Sequence, residues 1–228
     1  MKHLFRIICT ILTACSFLYA QPKLSVDKLD IDFGNVYAGA KKIGHVRLQN
    51  IGNDTLHIIS IEPSCGCTKV KEPKSFLPPG KSDVVEIEFN SSGYRAGQTE
   101  KYVNITTNDP TSPSVSVKFH VVIKEILEEL DRNFWLGEIP LNKPTTKTIT
   151  LKNISGASVT IKNILCSTPN LQATASAMTL KDSTPVDLQV TYTPTKSGYG
   201  IEYVWLETDS KDQPRIELRV PFIGQVKK

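Results

Sequence analysis

The side chains with the most chemistry to offer stand in one short run, Cys65-Gly66-Cys67. Two thiols one residue apart have three outcomes. In an oxidising compartment they close a local disulfide, with Gly66 supplying backbone freedom for a tight turn. Extended residues two apart lie near the upper limit for bridging, so such a ring is strained and easily reduced, and closing so small a loop stabilises little. In the second outcome the thiolates bind a soft metal, Cu(I) or Zn(II). His57 is the nearest candidate third ligand, and the set is still incomplete. In the third they are inert thiols of a structural loop. The pair is expected on a partly exposed loop after a strand around Leu56–Ile61, oxidised to each other. A thiol–disulfide exchange role falls within the first outcome. Cys-x-Cys is weak evidence for it beside a Cys-x-x-Cys in a thioredoxin-like βαβ setting, which this chain lacks.

The remaining candidates offer less. Cys166 reads as a small buried hydrophobe at a strand end. With ~100 residues separating it from Cys65 and Cys67, and each region in its own domain, a bridge between them is not expected. Gly80-Lys81-Ser82 resembles the end of a phosphate loop, but Ser75 holds the position of the first required Gly and no helix follows. Outside His3, the histidines are His45, His57 and His120. They alternate with apolar strand residues, and no Ser/His/Asp constellation can be named around them. Asp109 and Asp209 fall in turns, as caps or solvated groups. Trp135 and Trp205 are expected to pack on the fold or at a domain junction. No residue is therefore assigned as catalytic, cofactor-binding or metal-ligating, no cofactor is expected, and the chain does not read as an enzyme.

The elements that position the cysteine run begin with an address. Lys2 and Arg6 precede an apolar stretch, Ile7 to Leu18, that is shorter than the ~20 residues a spanning helix needs. Tyr19-Ala20 then leads into polar sequence, so residues 1–20 read as a secretory signal cleaved after Ala20. A second reading is a lipobox, Leu12-Thr13-Ala14-Cys15, with a lipid anchor at Cys15. No later stretch is long and apolar enough to span a membrane. The formal charge of +4 in 228 residues falls to +2 when Lys2 and Arg6 leave, and no basic run with interleaved aromatics argues for nucleic acid.

The rest of the chain repeats itself. Gly34, Leu48, Asn50, Ile58, Ile61 and Ser64 recur 103 residues later as Gly137, Leu151, Asn153, Ile161, Ile164 and Ser167. At an offset of 101 residues, Tyr102, Val103 and Thr107 recur as Tyr203, Val204 and Thr208. Alternation of period two runs through Val85/Ile87/Phe89, Val115/Val117/Phe119/Val121, Val186/Leu188/Val190/Tyr192 and Ile216/Leu218/Val220/Phe222, which marks strands with one buried face. Turn clusters such as Asn50-Ile51-Gly52-Asn53-Asp54, Pro78-Pro79-Gly80 and Asn108-Asp109-Pro110 punctuate them. About seven short strands per ~100 residues is the pattern of an Ig-like sandwich. The fold class is thus all-β: two tandem Ig-like β-sandwiches, residues 22–124 and 125–228, after the signal. Lys124 to Leu130 is the one helix-like stretch; it reads as a turn of helix at the junction or as a last strand leading into a first strand, and is expected to form a short, semi-rigid linker of mixed character.

The first repeat resembles a bacterial Ig-like family known as domain of unknown function fifteen seventy-three, related in shape to the ASH, MSP and HYDIN-type modules. Ile31-Asp32-Phe33-Gly34-Asn35-Val36, Leu48-Gln49-Asn50-Ile51-Gly52-Asn53, Ser64-Cys65-Gly66-Cys67-Thr68, Leu77-Pro78-Pro79-Gly80 and Asn108-Asp109-Pro110 carry the resemblance in order, over residues 24–122. Residues 125–225 look like a degenerate copy, with Thr168-Pro169-Asn170 where Cys-Gly-Cys stood, so any cysteine function belongs to the first repeat. The resemblance implies an exported cell-envelope protein and no known reaction. The expected function is a non-catalytic structural or protein-binding module in the periplasm, envelope or extracellular space, with another envelope protein as partner. The alternative is a thiol-redox or copper-handling protein that uses Cys65 and Cys67. A pilus-type chaperone, which shares two Ig-like domains, would need a basic cleft, and no basic pair stands out in the linker.

Overall fold

The computed structural model describes residues 20–130 and 134–226, so the signal residues before Ala20, Cys9 and Cys15 among them, lie outside the described residues. The alternating segments form strands, and all described regular structure is β. The first nine are β1 (Leu24–Val26), β2 (Asp30–Tyr37), β3 (Lys41–Asn50), β4 (Leu56–Pro63), β5 (Thr68–Lys71), β6 (Phe76–Leu77), β7 (Ser82–Asn90), β8 (Gly97–Thr107) and β9 (Ser114–Lys124). The second nine are β10 (Leu127–Glu129), β11 (Glu138–Pro140), β12 (Thr145–Asn153), β13 (Val159–Cys166), β14 (Leu171–Ala175), β15 (Thr179–Leu180), β16 (Pro185–Tyr192), β17 (Gly198–Thr208) and β18 (Arg215–Gln225).

Each set builds a four-stranded and a five-stranded sheet. The orders are β1-β3-β7-β5 with β2-β9-β8-β4-β6, and β10-β12-β16-β14 with β11-β18-β17-β13-β15, which match strand for strand. Seven strands per repeat undercounts the nine observed because the short strands, β1, β6, β10, β11 and β15, have only two or three residues, too few to show an alternation. β2 and β11 run parallel to β9 and β18.

Two cores result. One joins Val46, Leu48, Val85, Ile87 and Phe89 of the smaller sheet to Val103, Ile105, Val117 and Phe119 of the larger. The other joins Ile149, Leu151, Leu188 and Val190 to Val204, Leu206, Leu218 and Val220. Each such fully buried aliphatic or aromatic side chain contributes about 1.5–3 kcal/mol relative to exposure. Gly34 and Gly137, the repeat's first matched pair, take φ of +65° and +108°, backbone that side chains with a Cβ rarely adopt.

The turn asparagines are among the few buried polar residues. Asn50 is fully buried, and its Nδ2 donates to the carbonyls of Asp54 (2.7 Å) and Leu77 (2.8 Å). Asn153 repeats this with Ala157 (2.7 Å) and Leu180 (2.8 Å). Each side chain thereby satisfies backbone groups that burial would otherwise leave orphaned.

The expected linker is not a tether. β9 ends at Lys124, β10 starts at Leu127, and Ile126 between them is buried in the second core. The stretch, which looked helix-like, instead runs from one strand into the next, and the adjacent Ile126 and Leu127 are both buried in the second core. The Ile126 N–H donates to Gln213 Oε1 at 3.0 Å, so the second sandwich holds this stretch directly.

Candidate functional site

β4 delivers the cysteines. After Pro63 the chain turns, and the Thr68 N–H donates to the Cys65 carbonyl at 3.2 Å, a four-residue turn that brings Cys65 and Cys67 Cα atoms to 5.2 Å. A disulfide joins them. The residues are not extended, so the pair sits well inside bridging range rather than at its limit. Gly66 is exposed, has no left-handed backbone, and would present an added Cβ to open space. The turn, not the glycine's freedom, makes the proximity.

Two side chains attend the bridge. A disulfide sulfur carries no hydrogen, so the buried Thr68 hydroxyl donates toward Cys65 Sγ at 3.3 Å. The Tyr94 hydroxyl donates to Cys67 Sγ at 3.2 Å. Tyr94 is held edge-on by Phe89, with centroids 5.4 Å apart, and Lys101 Nζ lies 5.8 Å from its ring centre. Cys65 and Cys67 are half-buried, and Cys67 packs on the first core.

Tyr94 belongs to the β7–β8 loop, which also reaches the second sandwich. Its neighbour Arg95 pairs with Glu129 and, at 3.8 Å, with Glu125, while the Ala96 N–H donates to Glu125 Oε2 at 3.0 Å. Beside this contact a cleft of about 600 Å³ opens between the sandwiches. Tyr94 and Arg95 line it from one side, Trp205 and Arg215 from the other. Trp205 is fixed by three contacts: Nε1 donates to Glu217 Oε2 at 3.0 Å, Arg215 lies 4.7 Å over its ring, and Tyr203 stacks 5.9 Å away. Sequence reading missed Arg95 and the cleft. The one signal available was that Arg95 is the only charge between Asn90 and Glu100.

The other candidates are scattered. His57, offered as a third metal ligand, lies at the start of β4, while the cysteines follow its end. Eight residues of mostly extended chain put it more than ~20 Å away. Its backbone N–H is bound by Asn108 Oδ1 at 2.7 Å. Among the described residues no group of three or more His, Cys, Asp or Glu is arranged to hold a metal ion. His45 faces Glu86 at 3.7 Å. His120 sits between Asp30 (3.0 Å) and Asp32 (3.4 Å) on the exposed face of β9, a cluster the sequence did not announce because β2 reaches β9 only through parallel pairing. Lys118 pulls the Asp30 carboxyl below its ordinary range. Cys166 is a free, half-buried cysteine whose thiol burial pushes up, which makes it a poor nucleophile. Burial, then Glu202, pushes the Tyr192 hydroxyl to about 12. Trp135 stacks on Tyr199 with centroids 6.4 Å apart.

Asp109 and Asp209 are caps. Asp109 accepts from the Leu24 N–H (2.8 Å) and from Thr111 and Ser112, and Asp209 accepts from the Thr160 N–H at 2.8 Å.

The fold and its loops define the class: an all-β protein of Ig-like sandwiches. Residues 24–122 match the model of the family described as "Protein of unknown function (DUF1573)". No curated protein matches the chain. Among solved structures, a protein of unknown function from Porphyromonas gingivalis W83 is similar at 11% identity and TM-score 0.39, covering 88% of this chain and 99% of that one. The ASH/PapD-like domain 7 of human CEP192 is similar at 13% identity and TM-score 0.38, covering 55% of this chain and 96% of that one. The YadV chaperone is similar at 12% identity and TM-score 0.35, covering 87% and 98%. Likeness at this level carries no argument about function. No helix among the described residues is long and apolar enough to cross a membrane.

Proposed function

We propose that the chain is an exported, non-catalytic protein-binding module of the bacterial cell envelope, which takes a segment of another envelope protein into the cleft between its sandwiches. The cleft carries this reading. It is walled by Trp205, Tyr94, Arg95 and Arg215, the residue types that dominate binding energy at protein interfaces. Trp205 is already immobilised by Glu217 and Arg215, so little side-chain entropy remains to be lost on binding. Export rests on the signal grammar of residues 1–20.

The test is site-specific photo-crosslinking in the producing cell. A crosslinker at Lys211, on the cleft, is expected to give a discrete adduct that Trp205→Ala removes. One at Lys143, at the far end of the second sandwich, is expected to give none. Equal labelling from both positions would sink the cleft as the binding site. Intact mass of the exported protein is expected to start at Gln21; a lipid-modified Cys15 would move it to a membrane leaflet.

One observation favours a second reading, thiol–disulfide exchange. Tyr94 donates to Cys67 Sγ, which would favour a thiolate there. A substrate thiolate would attack Cys65 Sγ and expel Cys67 as the thiolate. The substrate's second thiol would then leave as a disulfide with the first, with both cysteines reduced. Tyr94→Phe should slow stoichiometric oxidation of a dithiol peptide; an unchanged rate would remove this reading.

A further inference from the structure

The edge strands of the two sandwiches are defended differently. β5, the free edge of the first smaller sheet, carries Lys69 and Lys71 and runs on into Glu72-Pro73-Lys74. Charges and proline are what keep an open edge from pairing with another chain. β14 holds the same place in the second sandwich and reads Leu-Gln-Ala-Thr-Ala. No charged residue occurs between Lys162 and Lys181.

The ladder fixes which backbone groups of β14 face outward. The Thr193 N–H donates to the Asn170 carbonyl (3.0 Å) and the Ser176 N–H to the Asp187 carbonyl (2.8 Å), so even-numbered residues bond to β16. Leu171, Ala173 and Ala175 therefore turn their N–H and C=O groups away from the sheet. The Leu171 N–H is taken by the Thr168 carbonyl at 3.2 Å. The Ala173 N–H meets the Cys166 sulfur, and a thiol is a weak acceptor. Gln172 and Thr174 are exposed on the outer face.

We propose that β14 is a self-association edge, which pairs antiparallel with β14 of a second copy of this chain about a twofold axis through Ala173. That register is self-complementary. Ala173 exchanges both bonds with its counterpart, and the Ala175 N–H meets the Leu171 carbonyl of the second copy, while the Cys166 side chain swings off the edge. Leu171 lies opposite Ala175, large against small, and Gln172 lies opposite Thr174, amide against hydroxyl. A twofold axis sets each edge against its own likeness, where charges like those of β5 would repel; β14 has none. Pairing joins two four-stranded sheets into one. So short a strand buries less than the ~1,200 Å² of stable complexes, so the dimer is weak and concentration-dependent.

Sedimentation velocity of the full exported chain over a concentration series tests this. Wild type is expected to show a monomer–dimer equilibrium. Q172K/T174K, which sets Lys against Lys, should raise the dissociation constant at least ~tenfold. Q172K/T174E, which sets Lys against Glu across the same axis, should bring it back. Both positions are exposed, and matching thermal melts will show that both variants fold. A strictly monomeric wild type overturns the proposal. So does a dimer that Lys/Lys leaves intact, which would lie elsewhere. A dimer that Lys/Lys breaks and Lys/Glu fails to restore would not be the twofold antiparallel pair and would overturn it too.

Discussion

At the scale of single residues, the turn asparagines matter more than the cysteines. Asn50→Ala would leave the Asp54 and Leu77 carbonyls without their donor inside the fold, a loss of about 2–4 kcal/mol, read from chemical denaturation. Cys65→Ser with Cys67→Ser should shift stability by less than about 1.5 kcal/mol, because the ring they close is tiny. Gly66→Ala should stay within about 0.5 kcal/mol in the same titration, since its Cβ meets nothing. Gly52→Ala is the contrast: its Cβ would stand 2.2 Å from the Gln21 carbonyl oxygen and would drive the N-terminal segment off the turn. Asn50, Gly52 and the cysteines were all legible as motif residues. Their roles were not. Asn50 looked like a turn residue and is a buried bridge, and Gly66 looked like the source of a tight turn's backbone freedom and is an unconstrained surface position. A motif names a residue; only its neighbours decide which of its properties is used.

At the scale of elements, alternation was enough to find the long strands and to say which face each buries. It could not say which strands neighbour one another. The parallel pairing of β2 with β9 brings Asp30 and Asp32 to His120, although Asp30 and His120 lie 90 residues apart. The separation of His57 from the cysteines followed only once β4 was seen to run, extended, between them. Asp109 shows how one turn residue ties elements together, because its bond to the Leu24 N–H pins β1 to the β8–β9 turn. Burial alone would raise this carboxyl, but the Leu24 and Thr111 donors outweigh it and hold it below the ordinary range. A depressed carboxylate contributes stability that is present above its unfolded pKa, near ~4, and lost as pH falls through the lower folded value. Stability should therefore fall with pH below ~4, and Asp109→Asn should be destabilised at neutral pH and flatter in that window. An unchanged acid limb in the variant would mean that other caps, such as Asp83 and Asp209, also depressed by backbone donors, carry the effect.

At the scale of the molecule, the sequence repeat forecast two like halves but not how they meet. The junction is a short stretch of chain pinned at both ends: Arg95 of the first sandwich grips Glu125 and Glu129, and Gln213 of the second holds the Ile126 N–H. These are polar contacts at a rim. The first core, from Ile31 to Ile123, is complete without them, and among the described residues the second takes from the first sandwich only the half-buried Tyr37. Arg95 is half-exposed, so although the Glu125 and Glu129 side chains are largely covered, these pairs contribute roughly 1 kcal/mol each. The two halves should thus be coupled weakly and fold separately. A fragment of residues 22–124 is expected to give β-type circular dichroism and a single cooperative melt. Its stability should lie within about 1–2 kcal/mol of the corresponding transition in the full chain, the worth of the lost rim contacts. Arg95→Ala in the full chain should reproduce most of that small difference without disturbing either core. A fragment that is molten, or that loses far more than the Arg95 variant does, would show that the sandwiches share one core across the junction. The cleft between them would then be a wall of that core rather than an open place for a partner.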